Sequence, residues 1–495
     1  MKEITLKRRE LYILLPVVLS LIIFLQLVVG VGGLIQVSIA SLIALPAIVL
    51  LFVGTIKWKL CFYFFFLWLL LEGIFRKWIL PSNLSTPAFF VKHLILVVPY
   101  FYLFTRGLRI TKRDYPFLGL LLCYLVWGLL EAFNFRATSD FRVQILGLIT
   151  HFWFLPLIFL VPMVFNTEEK ILKFFKAIAY LSLAIFILGV IQYFSPHGSI
   201  INQYAPNDVV EDLAVATVGE YARITGVFSY IGPYNTYLGF ALLVILYLVL
   251  IGKLTKLETL VFYAGLLLGV MNLIMTGSRA PVAVFIVQAL IFLFIIFHFK
   301  GKVKKIKKKV LVRFAVAIPL LLFILLYTDK GNAALTALLD RAKSAGDTSS
   351  RIVRVYTTPF DFVRPAGLIG YGIGTAYQGS NALVNDWGDM PRNFEEEWGR
   401  ILLELGLVGF VIAMLIRAYT IFYSWKTFKN IKSHGLKLLA LLVFIHQLPM
   451  LIGRNIVFSY IDNIIYWFLI GLLVAINRIE IERNNATKSS GISPR

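Results

Sequence analysis

The residues from Pro391 to Gly409 read PRNFEEEWGRILLELGLVG. Three consecutive carboxylates, Glu395, Glu396 and Glu397, lie between Arg392 and Arg400, and Glu404 follows inside an apolar run. A carboxylate in a partly desolvated, cation-rich pocket can take the proton of a hydroxyl. Nearby arginines can hold a phosphate and stabilise the charge that grows on it as it leaves. A plainer account is that acids favour a helix N-terminus, and that Glu396, Arg400 and Glu404, spaced by four, form a ladder along one helix face. That covers one or two of the acids. It leaves Glu404, roughly 10 Å down a continuous helix at 1.5 Å per residue, in need of a partner, with Arg400 the nearest.

Further arginines stand at the mouths of apolar runs. YARITGVFSYIGPYNTYLGF places Arg223 before one run, and MTGSRAPVAVF places Arg279 in a hairpin between two others, with Pro281 in the first turn of the next helix. An arginine at a helix start, beside free backbone N–H groups, suits an anion; the alternative is that it snorkels or pairs with a carboxylate to pin the hairpin. In LLEGIFRKWILPSNLSTP, Glu72 and Arg76 are four apart and can pair along their helix. That makes Arg76 chiefly structural, with a supporting place in ligand binding as the lesser reading.

These residues must be positioned by membrane helices. Hydrophobic residues make up 59% of the 495 and charged residues only 15%, and mean hydropathy is +0.83. Apolar runs near bilayer length recur along the chain. We read fourteen spans: 11–29, 34–53, 58–75, 87–105, 115–133, 144–165, 176–194, 226–251, 258–276, 280–298, 310–327, 399–424, 437–452 and 456–477. The first run lacks a small-residue cleavage site, so no cleavable signal peptide is expected. With the N-terminus (Lys7, Arg8, Arg9) inside, every inside loop is net positive; the segment Lys300–Arg313 holds eight basic residues and no acid. This meets the positive-inside rule. The formal charge of +22 then reads as anchoring to anionic membrane lipid, with no nucleic acid as partner. Lysine dominates the inside loops and arginine the outside ones, and arginine's planar fork suits phosphate or carboxylate. Cys61 and Cys123 fall in apolar spans and read as inert, and no Cys, His or Asp spacing suggests a metal.

The expected fold class is therefore an all-α polytopic membrane protein of about 14 transmembrane helices. One transmembrane domain covers 1–495, with a large extracytoplasmic loop, 328–398, between spans 11 and 12.

Three features in order, RITGVFSYIGPYN, TGSRAP, and a long outer loop containing GYGIGTAYQGSN that ends in LLELGLVGF, resemble the O-antigen ligase and polysaccharide polymerase superfamily over about 220–412. The resemblance implies a helical membrane glycosyltransferase, GT-C-like in architecture, metal-independent and inverting, with no cofactor. It implies a glycan donor on undecaprenyl diphosphate, a glycan or lipid acceptor, and other polysaccharide-assembly proteins as possible partners. Arg223 and Arg279 match the arginines the family uses near the lipid diphosphate, helped by Arg392 or Arg400. Ligases of the family carry a His–Asn pair about eleven residues before the glycine of ELG. Counting back from Gly406 lands on Glu395 and Glu396, so that histidine is absent, and His197 is a weak substitute. Glu395 or Glu397 is then the candidate base, with Glu396, Glu404 and Arg76 in support. The expectation is a polymerase at the outer face of a bacterial cytoplasmic membrane, both termini cytoplasmic, with a ligase as the alternative. The rival from another class is a lipid-linked oligosaccharide flippase, which would need charges in a central cavity between two pseudo-symmetric halves rather than at outer helix mouths. A non-catalytic assembly partner of a synthase ranks last.

Overall fold

The computed structural model describes residues 58–106, 111, 113–206, 215–218, 221–251, 254–298, 327, 332, 335–336, 357, 359–384, 386–391, 396–451 and 454–489. The protein is an all-α polytopic membrane protein. Ten helices among the described residues are long and apolar enough to cross a membrane. Eleven of the fourteen expected spans fall on apolar helices; 11–29, 34–53 and, but for Tyr327, 310–327 lie outside the described residues.

The chain forms two compact units. The first covers Met1–Arg109, Gln203–Val215 and Val227–Tyr230. Its helices are α1 (Trp58–Ile74), continued by a π-helical turn Phe75–Ile79, and α2 (Ser82–Arg106). A buried polar cluster joins them. Arg76 donates to Glu72 at 3.1 Å and to Ser85 Oγ at 3.1 Å, and Lys92 donates to the other Glu72 oxygen at 2.9 Å. A carboxylate in hydrocarbon is costly unless paired, and here two cations share it. The expected Glu72–Arg76 pair is thus present.

The second unit covers Ile110–Asn202, Ala216–Gly226 and Ile231–Arg495. Its helices are α3 (Leu118–Glu131), α4 (Phe141–Phe152), α5 (Leu157–Val164), α6 (Glu168–Phe194), α7 (Ile231–Ile251), α8 (Lys256–Met275), α9 (Arg279–His298), α10 (Glu397–Asn430), α11 (His434–Gln447) and α12 (Tyr460–Ser489). Local chemistry sets several starts. Thr167 caps α6, accepting from Lys170 N, with Glu168 and Glu169 in its first turn. Thr255 and Glu258 form a reciprocal capping box on α8. α7 is apolar all round and sits at the centre of the bundle: nearly every residue is buried, against α6, α8, α11 and α12. A two-stranded hairpin, β1 (Thr217–Val218) with β2 (Tyr221–Ala222), precedes Arg223.

α10 is not one helix. Gly406 has φ +65° and ψ −172°, and two helices join across it. A continuous helix would set Glu397 and Arg417 about 30 Å apart over twenty residues. Their side chains meet at 2.8 Å, so residues 397–405 fold back along 407–430. This corrects the expectation of a single span running inward from the acidic cluster. The fold-back frees backbone groups that hydrocarbon cannot satisfy, and residues 367–372 with Trp127 satisfy them. Tyr371 N donates to Leu403 O at 2.7 Å, Gly372 N to Glu404 O at 3.2 Å and Trp127 Nε1 to Leu405 O at 2.8 Å. Leu407 N and Val408 N donate to the carbonyls of Gly367 and Leu368.

This clasp explains the glycines of GYGIG. Gly370, Gly372 and Gly374 all have positive φ, and their backbones run against other backbones. A Cβ on Gly374 would lie 2.1 Å from Val143 O, and one on Gly370 2.6 Å from Glu404 O. Gly374→Ala should therefore cost about 2–4 kcal/mol from left-handed strain and overpacking. Gly239→Ala, with nothing within 4 Å of the added atom, should be neutral. Thermal unfolding of the two purified variants in detergent distinguishes them.

Candidate active site

Arg223 is positioned by its neighbours in sequence and in space. Gln192, buried near the end of α6, brackets the turn after it: its Oε1 accepts from Gly226 N (2.7 Å) and Thr225 N (3.2 Å), and its Nε2 donates to Gly226 O (3.0 Å). Gly226 takes φ +54°, and a Cβ there would press on Tyr234 and Ile185. The guanidinium then reaches the α8–α9 hairpin. Nε donates to Thr276 O at 2.8 Å, and a terminal nitrogen donates to Ser278 Oγ at 2.6 Å. Asn235 Nδ2 donates to the same Ser278 hydroxyl at 2.9 Å. Gly277, with φ +63°, makes the tight hairpin. Arg279, half-buried, opens the twenty-residue helix α9. The two arginines singled out from sequence are thus brought together, beside the positive end of a helix dipole.

The polar run continues. Thr236 donates to Asp462 Oδ2 at 2.7 Å, as does Ser459 at 2.7 Å, and Arg454 Nε lies 2.9 Å from Asp462 Oδ1. Two residues past Arg454, Ile456 N donates to Glu397 Oε1 at 2.6 Å, joined by Val457 N. Arg417 donates to Glu397 Oε2 at 2.8 Å and to Met450 O at 3.2 Å. Arg400 is buried, with its guanidinium 5.4 Å from the Phe458 ring centre. Arg223 thus bonds to the hairpin that carries Arg279, Arg454 pairs with Asp462, and Glu397 is held by Arg417 and the amides of Ile456 and Val457.

The acids divide. Glu397 is fully buried and both its oxygens are engaged. Glu396 takes the N-cap position of α10 without a side-chain cap bond. Glu404 is fully buried: Oε2 meets His151 Nε2 at 2.7 Å, Oε1 accepts from Ala376 N at 2.9 Å, and His151 Nδ1 meets the Tyr124 hydroxyl at 2.7 Å. Its expected partner was Arg400; the fold-back instead turns it toward α4. Glu395 and Arg392 lie outside the described residues. Arg76 belongs to the first unit, held by Glu72 and Ser85.

Arg136 and Arg142, expected on the outer side, are spent on structure. Arg136 donates to the carbonyls of Pro365, Ala366 and Gly370 and stacks on Tyr371 at 4.0 Å. Arg142 forks onto Asp140, and those hydrogen bonds hold the Asp140 carboxyl below its usual range. Two partners were missed in the sequence. An arginine inside an apolar span, Arg417 in AMLIRAYT, demands a counter-charge, and that signal was present. His151 carried none, because its partner lies 253 residues away.

Among the described residues no group of three His, Cys, Asp or Glu side chains is placed to hold a metal ion. Residues 264–414 match the family model described as O-antigen ligase, which supports the O-antigen ligase and polysaccharide polymerase superfamily for this chain. The match covers α8, α9, the glycine clasp and the fold-back of α10. No curated protein matches the chain.

Breaking the buried ion pair from one side leaves an uncompensated charge. Arg417→Ala should cost about 3–5 kcal/mol. The paired replacement Glu397→Leu with Arg417→Met should recover part of that loss, as thermal unfolding of the single and double variants would show.

Proposed function

We propose that the chain transfers a glycan from an undecaprenyl-diphosphate carrier to an acceptor hydroxyl at the outer face of a bacterial cytoplasmic membrane. An O-antigen ligase or polymerase type of activity follows from the family match; the donor, the membrane and the direction of transfer are our reading. The observation that carries it is the pairing of Arg223 with the Arg279 hairpin through Ser278 at 2.6 Å. This sets the Arg223 guanidinium at the hairpin that carries Arg279 and the N-terminus of α9, a setting that suits a diphosphate both as bound substrate and as leaving group.

In this reading Arg223 and Arg279 hold the diphosphate, with Arg400 or Arg392 beside them. The acceptor oxygen forms its bond to the anomeric carbon as the bond from that carbon to the diphosphate breaks. The charge that develops on the phosphate is stabilised by the arginines. A carboxylate takes the acceptor proton, and attack opposite the leaving group inverts the anomeric centre. Between the two proposed bases, the full engagement of Glu397 by Arg417, Ile456 and Val457 favours Glu395, two residues earlier. Glu397 then holds the start of α10, Glu404 ties the same segment to α4, and Glu396 stands at its N-cap position. Arg76 supports α1 and α2.

The absence of a histidine at 395 favours a polymerase, which extends a glycan on another polyprenyl carrier. The family description favours the ligase alternative, with lipid A core or another lipid acceptor. Incubation of the purified protein with a lipid-diphosphate oligosaccharide separates them: chain growth without a lipid acceptor marks a polymerase. In that assay Arg279→Ala and Glu395→Gln should each lower transfer by about 10²–10³-fold. Full activity in Arg279→Ala would remove the anion clamp, and full activity in Glu395→Gln would remove the base.

A further inference from the structure

The loop that clasps α10 has a tip, Gly367–Leu368–Ile369–Gly370, between two positive-φ glycines. It was expected to lie in water outside the membrane. Its side chains argue otherwise: Leu368 is 64% and Ile369 56% exposed. Beside them, on the segment after α3, Phe133 is 73% and Phe135 46% exposed. Asn134 Nδ2, between the two phenylalanines, donates to Ile369 O at 3.1 Å, which fixes the two segments together.

The carbonyls of the tip behave as if no water were present to serve them. Six consecutive carbonyls, Pro365 to Gly370, all accept from protein donors. Arg136 serves Pro365, Ala366 and Gly370. Leu407 N serves Gly367, Val408 N serves Leu368 and Asn134 serves Ile369. A loop in water has no need of this, whereas irregular backbone at membrane depth is tolerated only when its polar groups are satisfied within the protein.

Helix length points the same way. α3 has fourteen residues, about 21 Å at 1.5 Å per residue, against a hydrocarbon thickness of about 30 Å. Asp114, just before it, pairs with Arg478 at 3.0 Å where the charged end of α12 begins. With one end pinned at that polar boundary, the other stops short of the opposite boundary by several ångströms, and tilt would lower it further. The tip is tied to that short end, since Ile373 N donates to Glu131 O at 3.3 Å. Exposed charges lie close along the chain, Asp361 and Arg364 before the tip and Arg142 after Phe135, as suits a headgroup layer.

We propose that residues 367–370, with Phe133 and Phe135, are seated in the acyl chains of the membrane leaflet on the loop side, so that the large loop is a membrane-inserted rather than a free aqueous element. The partner is lipid, met by four bulky apolar side chains around a run of carbonyls that all bond within the protein. This inference does not rest on the glycosyl-transfer reading.

The test is depth measurement on the full chain in liposomes, with Cys61 and Cys123 replaced by serine. Spin labels are placed at Leu368→Cys, Ile369→Cys and Phe133→Cys, with Asp361→Cys and Arg364→Cys as controls. Labels at 133, 368 and 369 should collide with oxygen more than with a water-soluble nickel chelate, and those at 361 and 364 should show the reverse. Dominant nickel collisions at 368 and 369 would overturn the proposal in favour of an aqueous loop. Labels immobilised and closed to both reagents would overturn it in favour of a protein partner or a second copy. Because all five positions project from the surface, the labelled chains should elute as the unsubstituted protein does, and only such chains are measured.

Discussion

The interrupted helix at Gly406 is the constraint on which the second unit depends. A helix in hydrocarbon satisfies its own backbone; one that reverses does not, and each orphaned group costs several kcal/mol there. The reversal is possible only because Tyr371, Gly372 and Trp127 supply donors for three carbonyls, and Gly367 and Leu368 supply acceptors for two N–H groups. The glycine-rich loop is therefore required by the break, and the break by the loop. Glycine is fixed at both, since a Cβ on Gly406 would lie 2.2 Å from Leu368 O, just as one on Gly374 would strike Val143 O.

From that reversal follows the place of the acids. Folding 397–405 back brings Glu397 to Arg417 and to the amides that precede α12, and turns Glu404 to His151 and Ala376. Each carboxylate holds two elements: Glu397 joins the two arms of α10 to the α11–α12 connection, and Glu404 joins α10 to α4 and to the loop. Such pairs stabilise little in net terms, because desolvation offsets attraction, but losing one member is costly. What they contribute is a fixed register between the loop, the reversed arm and α12. A reaction in which a base and a diphosphate clamp come from different elements needs that register.

Much of the fold was legible. The apolar runs gave the helices because bilayer thickness sets their length, and Glu72–Arg76 was readable because spacing by four is local. RITG and TGSRAP were legible as positions, at span mouths, and the pairing of Arg223 with the hairpin follows from two short turns built on Gly226 and Gly277. The reversal was not legible. LLELGLVG is continuous in hydropathy across Gly406, and a single glycine inside an apolar run is common in membrane helices. Only the distant donors at 371, 372 and 127 make the break affordable, and no local pattern announces them. The same holds for Glu404 with His151, whereas Arg417 could have been flagged by cost alone.

Of the three glutamates in a row, Glu397 is set apart by its surroundings. The two oxygens of Glu397 already accept from an arginine and two backbone amides, and its side chain is fully buried. It is not placed to meet a hydroxyl that must approach from a substrate. The proposed transfer needs a second acid for chemistry, for which Glu395 is our candidate. At the mouth of a helix that turns back on itself, Glu397 fixes position, a role that helix-dipole preference alone does not describe.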